Sequence, residues 1–506
     1  MKVFLIGFSS TMHTKVAVEL QKKGLDVLYW TPKESTGSLF TQVKKQFPNT
    51  IFHEYLDALT GIWPIEVDTA LFVPVSRELT HQLLDAEWKA LLMIERIEYL
   101  PTTIGYKKHL YYEQVKYWSN ILENMKPDAI LFSDAPHTFY NFVLSRVAQL
   151  MGIKTIYYRR TKGTVGHLHF FTDYLDYQEL RTVYHQALTQ NIGLSDVSEE
   201  MRGYYSKQTN IQVDSTPFYR KGKFKIDKTK SMRIIPSIET LKRNIQTGNI
   251  LKNIKNYIWF LFHTRRVDTI GNQYYKGWKI KMMQRQWFQK GKKWKEKYLS
   301  LQIVPDYNAK YIYVPMHFQP ECATNPFGDI YDDQILLVDT LAKSIPEGWF
   351  VYVKENAIQW SWPQSRSGRF DGYYDMLLKN KNVRLVSSEI STFNLIQNSQ
   401  AVATVTGTAL WESVLRSKPA LMFGSEWFMD CEGVFQIVDT KTCSQAIEQI
   451  KNGYVVDQKK VIAFLYAVEQ VTLPGYVNQH LKGPMMFTED ENVDSIVNGI
   501  WTKLNT

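Results

Sequence analysis

Apolar runs of strand length alternate with helical stretches through most of this chain, and that alternation restricts the fold more than any other feature. KVFLIG (2–7) closes at Gly7, a polar loop leads into HTKVAVELQKKG (13–24), and LDVLYW (25–30) follows. Gly24 ends the helix because it adopts the left-handed conformation without a Cβ penalty, and strand, helix, strand in so short a span is a βαβ unit. The pattern returns at DAILFSD (128–134), a helix over 139–150 closed by Gly152, and KTIYYR (154–159), with helices expected over 77–99 and 107–124. From residue 311 it resumes. Strands are expected at 311–316, 349–355, 383–387, 401–406 and 419–423, with helices at 332–343, 371–379, 391–397 and 408–416 between them and more near 443–452, 457–470 and 491–504. Such alternation predicts an α/β fold whose parallel sheets are covered on both faces.

A chain of 506 residues is too long for one core. The spacing predicts a first Rossmann-like domain over 1–215, a basic helical insertion over 216–305, a second Rossmann-like domain over 306–490, and a helix over 491–506 returning to the first. The net charge of +10 is concentrated: residues 220–297 hold 22 Lys and Arg against four Asp and Glu. The segment interleaves aromatic and aliphatic residues with lysines in LKNIKNYIWFLFHTRR (251–266) and around Trp278, Trp287 and Trp294. That mixture suits a helix lying on an anionic membrane surface; a packed insertion with solvated lysines is the alternative. The segment contains no known nucleic-acid motif, so no nucleic-acid partner is expected. The opening MKVFLIGFSS reads as a strand rather than a targeting peptide. No apolar stretch is long enough to span a bilayer. Three cysteines without a CxxC pair fit a reducing compartment and argue against structural zinc. A cytoplasmic protein, peripheral at the inner membrane face, is the expectation.

The segment 404–424 carries the clearest chemistry. A strand ends at Thr406, Gly407 and Thr408 turn, and a helix starts at once. The amides of that helix N-terminus, with the hydroxyls of Thr406 and Thr408, offer an anion site for a nucleotide phosphate. Glu412, one turn on, is placed to accept hydrogen bonds from a ribose or sugar. A plain tight turn with a surface glutamate has the same sequence. The loop MHFQPE after the 311–316 strand brings His317, Gln319 and Glu321 toward one site, with Glu321 a candidate base or sugar-orienting group. Asp332 and Asp333 open the next helix, where the helix dipole alone favours carboxylates. In the first half, His13, Asp134, His137 and Arg159 stand at strand carboxyl ends, where a Rossmann half presents ligand groups. His13 as a general base would fit an inverting reaction, and Asp134 could orient an acceptor; a helix cap is the other reading of His13. Arg159 could meet an anionic acceptor or pair with a local acid.

Residues 311–436 resemble the bacterial capsule polysaccharide biosynthesis family, which includes the β-Kdo transferases. The matching pieces are YVPMHFQPE (313–321), Asp-Gln-Ile after a tyrosine (331–335), VYVKE (351–355), NVRLV (382–386) and TVTGTALWE through MFG. The resemblance implies a GT-B-like fold with two domains facing a cleft. It implies a glycosyltransferase with a nucleotide-sugar in the C-terminal domain and a surface glycan or lipid-linked acceptor in the N-terminal one. It places Lys354, Glu355 and Asn356 near the donor phosphate and Asp332 where retaining members use a carboxylate nucleophile. Here Asn356 and Ala357 stand where the family has His-Pro, so the cation must come from elsewhere, with Arg366 and Arg369 as candidates. The implied donor is a CMP-sugar such as CMP-Kdo, with no other cofactor. No metal is expected, because helix amides and basic residues can neutralise the leaving phosphate. A polyol-phosphate transferase of teichoic-acid type, with a CDP-linked donor, and a non-catalytic glycan- or membrane-binding homologue are the rival readings.

Overall fold

The computed structural model describes residues 1–32, 38–98, 102–161, 166–210, 250–266, 274–361, 367–477 and 487–506. One sheet contains β1 (Lys2–Ile6), β2 (Asp26–Thr31), β3 (Ile51–Phe52), β4 (Ala129–Phe132), β5 (Lys154–Arg160) and β6 (His167–Phe171). A short hairpin of β7 (Thr264–Arg266) and β8 (Tyr274–Lys276) follows. The second sheet contains β9 (Tyr311–Pro315), β10 (Phe350–Lys354), β11 (Val383–Leu385), β12 (Ala401–Thr404), β13 (Ala420–Met422) and β14 (Val434–Gln436), after which β15 (Thr472–Pro474) returns to the first sheet.

The strand orders are β15-β6-β5-β4-β1-β2-β3 and β11-β10-β9-β12-β13-β14. All pairs of the second sheet are parallel, as are those joining β1 to β5, while β6 and β15 form an antiparallel edge. These are the two Rossmann-like halves that the alternation predicts. Each winds outward from its first strand in one direction and then the other. The order therefore switches between β1 and β4 and between β9 and β12, and a crevice opens there at the strand carboxyl ends. β4 and β12 are buried along their whole length, which is why AILF and AVAT lack a polar alternation.

The two halves interleave in space. Helices Gln178–Leu188 and Glu199–Thr209 precede residue 215, yet they pack in the core of the second half. Tyr184 meets Phe464 edge-on at 5.0 Å, and the Trp411 indole donates to the Tyr204 hydroxyl at 2.8 Å. At the other end, helix Glu489–Asn505 lies on helix Thr11–Lys22, with Lys15 paired to both Glu489 and Asp490 at 2.8 Å. Locally, the expected 77–99 helix is two, Arg77–Gln82 and Leu84–Ile97.

In the basic segment, residues 211–249 and 267–273 lie outside the described residues. Helices Ile250–Phe262 and Gly277–Leu301 flank the β7–β8 hairpin. The far end of the longer helix is a core element of the second half: Gly291, Trp294 and Tyr298 share one helical face and are buried. The Tyr298 hydroxyl donates to the Val386 carbonyl at 2.5 Å and accepts from the Glu355 amide at 3.1 Å. Trp294 is therefore a packing residue and not a ring for a membrane surface.

Candidate functional site

The loops leaving β9 and β12 meet at the switch point of the second sheet. The Thr406 amide donates to His317 Nε2 at 3.4 Å, and His317 Nδ1 lies 3.0 Å from Glu321 Oε2. Because Nε2 accepts, the ring proton sits on Nδ1 and is donated to Glu321. The backbone of His317 is fixed in turn. Its N–H donates to Gln334 Oε1 at 2.8 Å, and its carbonyl accepts from Gln334 Nε2 and Arg369 Nη2, both at 3.1 Å.

Helix Thr408–Leu415 begins against this network, with Gly407 at its N-cap and no side-chain cap. The Leu410 amide turns back to the Gly407 carbonyl at 3.0 Å, so an anion would meet the amides of Thr408 and Ala409. Gly407 has φ −66°, which any residue can adopt. What its hydrogen permits is close packing: a Cβ there would stand 3.0 Å from Thr404 Cγ2 and 3.5 Å from His317 Nε2. The Thr406 hydroxyl donates to the Ala323 carbonyl at 2.5 Å, so Thr406 can offer an incoming phosphate no side-chain proton. Thr408 is buried at the helix start, and Glu412 is half-buried near Tyr313, whose phenol is raised by burial and, to a lesser degree, by that carboxylate.

Glu321 also lines a cavity of about 290 Å³ between the two halves. One wall is the helix Leu84–Ile97, through Trp88, Glu95 and Arg96; the other includes Gln319, Asp332 and Asp333. Asp332 Oδ1 accepts from Gln319 Nε2 at 3.1 Å. Burial raises its pKa, while hydrogen bonds from Thr324 and Gln319 and the charge of Arg96 pull it back down. Asp333 has a structural task, capping helix Gln334–Ser344 by accepting from the Ile335 amide at 2.9 Å. The two aspartates, read alike from sequence, thus separate into a cavity carboxylate and a helix cap. The walls are tied together beside the cavity, where Asn325 Nδ2 donates to the Lys89 carbonyl at 3.0 Å and Lys89 pairs with Asp329 at 3.0 Å.

The three residues expected at the donor phosphate are engaged elsewhere. The Lys354 ammonium donates to the Ile390 carbonyl and to Thr392 Oγ1, and burial lowers its pKa to about 8. Glu355 is fully buried in a bidentate pair with Arg369, at 2.8 Å to Nε and 2.9 Å to Nη2, and accepts from the Tyr374 hydroxyl at 2.8 Å. Asn356 caps the turn Ala357–Trp360 through the Ile358 amide at 3.1 Å. Arg369, which Glu355 neutralises, therefore does not replace the family's cation, and Arg366 lies outside the described residues. Arg96, to which sequence reasoning assigned no role, brings a cation to the cavity wall.

In the first half, His13 is the third residue of helix Thr11–Lys22 and closes a capping box with Ser10. Its Nδ1 accepts from the amides of Ser9 at 3.1 Å and Ser10 at 3.3 Å, and burial lowers its pKa to about 4. The ring proton is therefore on Nε2, a buried atom without a partner. With its one lone pair already occupied, His13 is a cap in this geometry and not a general base. Asp134 accepts from its neighbouring Ala135 amide at 2.7 Å, and His137 Nδ1 lies 2.8 Å from the Ala135 carbonyl. Arg159 is buried, pairs with Glu426 of the second half at 2.9 Å, and stacks over Phe327 at 4.3 Å. It joins the halves rather than meeting an acceptor.

No protein-family model matches the chain. No curated protein matches it in sequence. Solved structures are similar to it in fold. A UDP-GlcNAc 2-epimerase from Neisseria meningitidis bound to UDP-GlcNAc is 14% identical over 93% of this chain and 98% of its own, with a TM-score of 0.22. A glycosyltransferase from Rickettsia africae is 9% identical over 100% and 98%, with a TM-score of 0.27. A β-Kdo 2,7 transferase from Thermosulfurimonas dismutans is 12% identical over 42% of this chain and 61% of its own, with a TM-score of 0.23. At such low identities and scores, the functional reading rests on this chain's own residues.

Proposed function

We propose that the protein transfers a glycosyl group from a nucleotide-sugar to a surface glycan or lipid-linked acceptor. The observation that carries this reading is the junction at the second switch point. There one histidine bridges the start of helix Thr408–Leu415 and a carboxylate on the wall of the cavity between the halves. A donor laid across it has its phosphate on the helix amides and its sugar in the cavity, against Asp332 and Glu321. Asp332 attacks the anomeric carbon as the bond to the phosphate oxygen breaks, giving a glycosyl ester and free nucleotide. The acceptor hydroxyl, entering along the wall of Trp88, Glu95 and Arg96, then displaces Asp332 and gives its proton to Glu321, which the His317 Nδ1–H orients. Arg96 favours an acidic sugar, and with the motif resemblance of 311–436 this makes a CMP-linked acidic sugar the first donor to try. Nucleotide release measured across CMP-, UDP-, GDP- and CDP-linked donors tests the reading. Turnover of a CMP-sugar supports it in full, turnover of another nucleotide-sugar corrects the donor, and turnover of CDP-polyols alone would replace glycosyl transfer by polyol-phosphate transfer.

A further inference from the structure

The helix Ile250–Phe262 is bound on one side and bare on the other. Its inner side packs on the start of helix Gly277–Leu301. A Cβ at Gly277 would fall 2.1 Å from the Phe260 carbonyl, so only glycine allows the approach, and Lys281 lies over the Phe260 ring at 6.0 Å. The outer side carries Leu251, Ile254, Ile258 and Phe262, spaced so that all four fall on one stripe. Leu251 is 80% exposed, Phe262 64% and Ile258 51%, far more than a packed helix leaves bare. Lys252 and Lys255 flank the stripe, with Trp259, itself 50% exposed, on their side of the helix. Along the two helices, Glu296 is the lone acid against ten Lys and Arg.

We propose that this stripe is the protein's docking surface for an anionic lipid bilayer. The proposal rests on the reading above only in that a lipid-linked acceptor gives such docking a purpose. Four large apolar side chains rimmed by cations and a tryptophan match the layered chemistry of a leaflet: acyl chains below, aromatic rings at headgroup depth, lysines among phosphates. A nucleic acid would meet the lysines but has no place for Leu251, Ile258 and Phe262. No helix among the described residues is long and apolar enough to cross a membrane, so the geometry is that of a helix lying in the interface.

Sedimentation of the full chain with vesicles tests this. Binding should be strong to phosphatidylglycerol–phosphatidylcholine vesicles, weak to phosphatidylcholine alone, and reversed by salt. Each cation near an anionic leaflet strengthens binding about fivefold, so Lys252→Glu with Lys255→Glu should weaken it by more than about tenfold. Leu251→Glu with Ile258→Glu and Phe262→Glu should abolish it, while circular dichroism and nucleotide affinity stay as in the wild type. The unchanged nucleotide affinity separates a failure of docking from a failure of the transferase reading. Equal binding to neutral vesicles, or binding that survives the stripe variant, would overturn the proposal. So would a wild-type dimer in light scattering that the stripe variant dissolves, since the stripe would then be covered by a second copy.

Discussion

In the proposed transfer, Asp332 is the residue on which the chemistry depends most. Of the other cavity carboxylates, Asp333 caps a helix, Glu95 pairs with Lys107 at 2.9 Å and Glu321 is held by His317, whereas Asp332 is half-buried with one oxygen held by Gln319 at 3.1 Å. Asp332→Asn keeps the shape and the hydrogen bond but cannot form a glycosyl ester. Transfer should fall by at least about a hundredfold with nucleotide affinity unchanged, because the carboxylate acts on the transition state. Near-normal turnover would move the role to Glu321. A second consequence concerns stability. Burial lowers His13 and His53 to about 4 and His169 to about 3, from an ordinary 6.5. Below pH 6.5 the unfolded chain takes up protons at these rings and the folded chain does not, so stability present above pH 6.5 is lost progressively down to about pH 4 for His13 and His53 and about pH 3 for His169. Each ring contributes up to about 1.4 kcal/mol per pH unit in that window. His169→Phe should flatten the decline, read as the urea midpoint at pH 7 and pH 5; an unchanged difference between the two would show that His169 does not titrate in this way.

Among the elements, β1, β2, β4, β5 and β9 to β13 were legible from sequence because parallel strands buried on both faces read as continuous apolar runs, whereas the short edge strands β3 and β14 and the antiparallel β6 and β15 were not read. The turn Thr406–Gly407–Thr408 was legible too, since strand, glycine and helix follow one another without a spacer. What each side chain touches was not legible. Glu355 and Arg369 are fourteen positions apart and close a buried pair only once β10 and the following loop are in place. The cavity's other wall, Trp88 and Arg96, comes from a stretch read merely as helix, and no local pattern marks a helix that faces a cleft. Gly407→Val tests the turn itself. The residue can adopt the backbone angles, so the fold should persist, but its side chain must displace Thr404 and His317. Loss of one or two charge-assisted hydrogen bonds should then weaken nucleotide binding by about ten- to a hundredfold, measurable by calorimetry. Wild-type affinity in a folded variant would remove the phosphate from this helix.

At the scale of the whole molecule, two cores are each completed by chain from the far side. Helices Gln178–Leu188 and Glu199–Thr209 finish the second half, and β15 with helix Glu489–Asn505 the first. The return of the last helix to the first half was expected from sequence, but the placement of 178–209 in the second was not, because packing partners hundreds of residues apart leave no periodic trace. The exchange and the buried Arg159–Glu426 pair join the halves, and the cavity between them is walled by helix Leu84–Ile97 on one side and the loop after β9 on the other. In the proposed transfer the halves take different tasks, with the donor nucleotide on the second and the acceptor entering along the first. Amide hydrogen exchange with and without the nucleotide of whichever donor is turned over tests that division most directly. Protection should appear at 405–410, at the start of helix Thr408–Leu415, and leave 8–13 after β1 unchanged. Protection at 8–13 with none at 405–410 would place the donor in the other half and contradict the account.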